Sequence, residues 1–82
     1  MKLRWMRRAL KDMKRLDRDV RERIVEGTKR FAEIEYGDIR QVEGAEDYAL
    51  RIGDWRIFFD PPENDTIWIT AVRPRDKAYK RK

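Results

Sequence analysis

The residues best suited to chemistry in this chain are arginines. Arg51 and Arg56 lie on two short, strand-like segments, and a C-terminal run holds Arg73, Arg75, Lys77, Lys80 and Arg81 around a late tyrosine, Tyr79. A guanidinium stays protonated at ordinary pH and presents a fixed fork of donors. Such a set therefore holds phosphate oxygens and stabilises negative charge that builds on them. It is a poor source of general base. Tyr79 could accept a proton only if nearby cations lowered its pKa from about 10, and Arg73, Arg75 and Lys77 are the sources of such a field.

The chain contains no His and no Cys. The commonest acid–base residue, the commonest metal ligand and all thiolate chemistry are thereby excluded, and a zinc site has no suitable ligands. A carboxylate magnesium site is possible, but no DxD-type cluster falls on one plausible strand or loop, so the expectation is a site without metal or cofactor. Charge is segregated along the sequence. Residues 1–30 hold 12 Lys/Arg against 5 Asp/Glu, residues 31–70 hold 3 against 10, and residues 71–82 hold 6 against 1. Two basic ends suit an anionic partner, nucleic acid being the usual one. There is no run long enough to span a bilayer and no signal-peptide pattern, so the expected setting is the cytoplasm, with no membrane partner.

Eighty-two residues are expected to form one small domain over 1–82, burying about 60% of the unfolded surface. Charged residues make up 45% of the chain, yet the apolar ones are patterned, which argues for a fold with a very polar surface. Lys2 to Trp5 reads as an opening strand. Met6, Ala9, Leu10, Met13 and Leu16 then recur at helical spacing. Asp17 is placed to cap a second helix with the stripe Val20, Ile24, Thr28, Phe31 and Ile34, ending at Gly37. Gly27 inside it predicts a close helix–helix contact.

The period then changes to two. Tyr48 to Ile52 and Trp55 to Phe59 flank Gly53-Asp54, a two-residue hairpin turn. Pro61 and Pro62 end the second strand, and Thr66 to Val72 forms the next, with Ile67, Ile69 and Ala71 set against Trp68, Thr70 and Val72. A weaker strand is placed at Ile39 to Val42. The sum is an α+β fold: an N-terminal helical hairpin packed on one face of a small, mainly antiparallel sheet. If Leu50, Ile57 and Ile69 face the helices, then Arg51, Arg56, Phe58 and Trp68 share the other face. That face either stays open, as an arginine and aromatic patch for nucleotides, or has its aromatics covered by the C-terminal tail.

Three stretches in order, RRALKDMKRLDRDVRERIVEG, EDYALRIGDWRIFF and DTIWITAVRPRDKAY, together resemble RelE-type toxins of bacterial toxin–antitoxin systems, within the RelE/ParE superfamily. The resemblance spans nearly the whole chain. It implies an endoribonuclease that cuts mRNA in the ribosomal A site by attack of a ribose 2′-OH on the adjacent phosphate, and a cognate antitoxin as partner. By motif position, the family's functional residues fall on Arg51, Arg56, Arg73 and Tyr79. Arg75, Lys77, Trp68, Lys80 and Arg81 are then candidates for RNA contact. The family pattern has two alternating lysines on the first central strand, where this chain has Ala49 and Arg51. A ParE-like inhibitor of DNA gyrase and a non-catalytic RNA- or antitoxin-binding module are the alternatives on the same fold.

Overall fold

The computed structural model describes residues 1–34, 39–41 and 48–74. Its elements are β1 (Lys2–Trp5), α1 (Arg7–Lys14), α2 (Arg18–Ile34), β2 (Ile39–Gln41), β3 (Tyr48–Ile52), β4 (Trp55–Phe59) and β5 (Thr66–Pro74). The five strands form one sheet in the order β1-β5-β4-β3-β2. Strands β2 to β5 are joined antiparallel, and β1 pairs parallel with β5, Lys2 to Trp5 lying against Thr66 to Ile69. Among the described residues no helix is long and apolar enough to cross a membrane. The helical hairpin on a mainly antiparallel sheet, expected from the change of period, is the fold observed.

The core lies between the helices and one sheet face. Ala9, Met13, Ile24, Phe31 and Ala32 meet Leu50, Ile57, Phe59, Ile67, Ile69 and Val72. Phe59 is its aromatic centre, with ring centroids 5.4 Å from Phe31 and 5.8 Å from Tyr48. Helix α2 follows its predicted stripe from Val20 to Phe31. Thr28 is fully buried within it because its Oγ1 donates to the carbonyls of Ile24 and Val25, at 3.0 and 2.9 Å. Asp17 directly precedes α2, and its carbonyl accepts the first helical bond from the Arg21 N–H. The proposed stop at Gly37 and the last residue of the weak strand, Val42, lie outside the described residues.

Helix α1 buries a narrower stripe than its spacing predicts. Ala9 and Met13 are buried, but Leu10 is 49% exposed and Met6 stands outside the helix in extended conformation. Two turns of helix can turn only one line of residues to the sheet. Gly27 also finds a different neighbour. A Cβ there would lie 2.6 Å from Ile52 Cδ1, so the close approach is helix to strand, not helix to helix. Gly27→Val would gain helix propensity yet push branched methyls into β3. Urea unfolding should show a net loss of about 1–3 kcal/mol.

Both turns carry the backbone geometry their residues favour. Gly53 has φ 60 between β3 and β4. Asn64 and Asp65, with φ 54 and 57, make the turn before β5, closed by paired bonds between Glu63 and Thr66 of 3.0 Å each.

The third antiparallel strand departs from simple alternation. Ile57 pairs with Val72 and Phe58 with Ala71, but Phe59 pairs with Ile69, so a bulge falls between Phe58 and Phe59 and leaves Thr70 as the extra residue on β5. Beyond the bulge the faces exchange. Val72, not Ala71, joins the core, and the strand runs on to Pro74, carrying Arg73 within it.

Candidate functional site

The sheet face turned away from the core carries the site. On β3 it presents Ala49 and Arg51, on β4 Arg56 and Phe58, and on β5 Ala71 and Arg73. Arg51 stands directly opposite Arg56, and Arg56 directly opposite Arg73. Three arginines therefore form one row across three neighbouring strands, with Cβ atoms about 5 Å apart from strand to strand. The bulge is what completes the row. Strict alternation from Ile69 would send Arg73 towards the helices; the extra residue returns it to the face of Arg56. Local structure has a cost here. Thr70 Oγ1 is buried at the bulge and makes no hydrogen bond to any described residue. Thr70→Val should therefore raise the melting temperature slightly, by the equivalent of roughly 1 kcal/mol.

The row is not uniformly open. Arg51 and Arg73 are half-buried, whereas Arg56 is 3% exposed, with Ala49 and Ala71 buried beside it. This corrects the expectation of an open face at Arg56. β4 is the middle strand of the sheet, and Arg56 is buried on it.

Arg73 is held from α1. Beyond Ile69 the β1 pairing ends, and the chain turns into the helix with Met6 N–H donating to the Ile69 carbonyl at 2.9 Å. Helix α1 then covers the free edge of β5. Asp12 Oδ2 accepts from the Val72 N–H at 2.9 Å and from Arg73 Nη1 at 2.5 Å. One carboxylate oxygen thus closes the strand edge and aims a guanidinium, and its side chain is only 11% exposed. Asp12 and Arg73 line a depression of about 540 Å³ together with Arg8, Lys11, Arg15 and Trp55. Among the described residues lining it, Arg73 is joined by three further cations and one carboxylate, Asp12. Asp12, Arg8 and Lys11 were not singled out from the sequence. The available signal was the spacing 8, 11 or 12, and 15 on one helix face; what faced it was 60 residues away.

The remaining predicted residues divide. Trp68 is 41% exposed and lies on the same face, so it is not covered as an aromatic under a tail would be. It is five residues along β5 from Arg73, roughly 15 Å, and thus separate from the row. Phe58, between them, is half-buried. Arg75, Lys77, Tyr79, Lys80 and Arg81 lie outside the described residues.

Comparison with known proteins agrees with this architecture. The family model described as ParE toxin of type II toxin–antitoxin system, parDE, matches residues 3–79. Similar solved structures include a RelB–RelE antitoxin–toxin complex from Methanococcus jannaschii, with TM-score 0.71 and 23% identity over 93% of this chain and 94% of that one. The isolated E. coli RelE toxin gives TM-score 0.73 and 18% identity over 99% and 86%. The YoeB/ParE toxin from Agrobacterium tumefaciens gives 0.68 and 17% over 90% and 98%. A search of curated protein sequences finds no match. At these identities the solved structures speak for the fold, while the family match extends over almost the whole chain. Because the family model covers residues 3–79, nearly the whole chain, this protein belongs to the ParE toxin family of type II toxin–antitoxin systems.

Proposed function

We propose that this toxin is a metal-independent endoribonuclease that cuts mRNA on the ribosome, in the cytoplasm. The observation that carries this reading is the register of Arg51, Arg56 and Arg73 on adjoining strands. Guanidinium forks brought together across neighbouring strands suit a phosphate group, whose oxygens accept charge-assisted hydrogen bonds from them. In 2′-OH attack the phosphate passes through a pentacoordinate form with extra charge on its oxygens, after which the 5′-oxygen leaves and a cyclic phosphate remains. Arg56 and Arg73 supply fixed donors for that charge. Arg51 adds a third cation, and Tyr79 is assigned the proton transfer. Without a histidine the chemistry depends on positioning, which a ribosome-bound substrate provides.

The cognate antitoxin must mask this cationic face, so its binding segment should be acidic. Mapping mRNA 5′ ends after induction tests the reading. New cuts that require translation are expected, and their absence would sink it.

A second reading, a protein inhibitor of DNA gyrase, is favoured by the ParE description of the matching family and by the enclosure of Arg56 beside Ala49. Inhibition of supercoiling by purified toxin, without RNA cuts, is its signature.

A further inference from the structure

The outer sheet face has a second cationic and aromatic feature, at its opposite end. Leu3 and Trp5 of β1 pack on the core, so Lys2 and Arg4 alternate to the outer face, and both are exposed. The parallel register sets Arg4 directly beside Trp68. Trp68 is a large aromatic left 41% exposed at a place where core residues flank it on the strand, Ile67 and Ile69 being buried. On the other side of Trp68, its carbonyl accepts from the Asp60 N–H at 3.1 Å, which places Asp60, just past the end of β4, beside it. A shallow depression of about 410 Å³, lined by Arg8, Phe58, Asp60, Thr70, Ala71 and Arg73, lies between Asp60 and Arg73 of the row.

We propose that Trp68, with Arg4 and Lys2, is a nucleotide-stacking subsite that holds a flanking nucleotide of a single RNA strand whose scissile phosphate lies on the Arg51–Arg56–Arg73 row. This rests on the RNA-cleavage reading above. The occupant follows from charge and shape. An exposed indole face bordered by two cations suits a base stacked on the ring with its phosphate on the arginine and lysine. Asp60 sets the polarity of the arrangement. Its carboxylate repels phosphate and accepts hydrogen bonds, so the backbone runs on the β1 side and the base edge turns towards β4. Amino-bearing bases are therefore favoured over uracil at this position. The depression between Asp60 and Arg73, with Arg8 lining it, leaves room for the strand on the way to the row.

The test measures binding of a short, labelled single-stranded RNA, made uncleavable by a 2′-deoxy sugar at the scissile position, by fluorescence anisotropy. Wild type, Trp68→Ala, Trp68→Phe and Arg4→Ala are compared, with thermal unfolding confirming that each is folded. Trp68→Ala should bind about tenfold more weakly, the size of one lost stacking contact, and Trp68→Phe should recover most of that. Arg4→Ala should lower the salt dependence by about one phosphate contact. Folded Trp68→Ala and Arg4→Ala variants with wild-type affinity would overturn the subsite, as would wild type that fails to bind the RNA at low salt. Loss of antitoxin binding in Trp68→Ala with RNA affinity intact would also overturn it and assign the patch to the protein partner. Ribosome-dependent cleavage, run in parallel, separates the two readings. Cleavage with Trp68-independent binding removes the subsite alone, whereas Trp68-dependent binding without cleavage removes the nuclease and leaves the subsite.

Discussion

Arg73→Ala should lower ribosome-dependent cleavage by about 10²–10³-fold, the loss seen when one fixed donor to a developing oxyanion is removed. The expectation comes from placement. Arg73 is supported from outside the sheet, since Asp12 takes its Nη1 and the Val72 N–H on the same oxygen. Its fork is therefore pre-oriented before substrate arrives, which is the condition under which a donor contributes most to the barrier. Arg73→Lys keeps the charge but loses the fork, so its activity should fall between wild type and alanine. Asp12→Asn is the informative companion. It retains an acceptor for the strand edge but loses the ion pair, so kcat should fall while the urea midpoint moves little. Single-turnover cleavage on programmed ribosomes, with unfolding measured beside it, reads both. An Arg73→Ala variant as active as wild type would remove the arginine row from the chemistry.

The largest effect on stability is expected at Phe59. It is 2% exposed and contacts the rings of Phe31 and Tyr48, joining α2 to β3 and β4. Truncation of such a ring to alanine costs about 3–5 kcal/mol, the lost transfer energy plus the cavity left behind. A domain of this size is stabilised by only about 4–12 kcal/mol. Phe59→Ala should therefore be substantially unfolded at growth temperature and non-toxic for that reason, with its cooperative thermal transition lost or strongly lowered. Phe59→Leu, which keeps most of the volume, should fold and remain toxic. The pair distinguishes loss of toxicity through unfolding from loss through the site.

Several parts of the site were legible in the residues alone. Alternation in Tyr48 to Ile52 and Trp55 to Phe59, with Gly53-Asp54 between, is enough to place Arg51 and Arg56 on one face. A two-residue turn leaves a single register, and a slip would bring Leu50 and Ile57 out of the core. The stripe of α2 was legible for the same reason, because 17 residues give the helical period time to show. Helix α1, with 8 residues, did not, and Leu10 was assigned to a core it does not enter. The partner of Gly27 was misread because a missing side chain signals close approach without saying by what.

The arginines thus divide the question of what determined this protein. By itself the sequence determined the kind of chemistry open to it. Without His or Cys, imidazole and thiolate chemistry are closed to it and arginine-rich segments point to a phosphate, while local periodicity set which residues of β3 and β4 share a face. Tertiary structure alone decided which cations meet. One extra residue at Thr70 turns Arg73 onto the face of Arg56, and the parallel pairing of β1 with β5 brings Arg4 to Trp68. Folding also brings Asp12 to a strand edge 60 residues later in the chain. The reason is physical. Alternation propagates along a strand only until a bulge resets it, and pairing between distant segments depends on packing that no local spacing encodes.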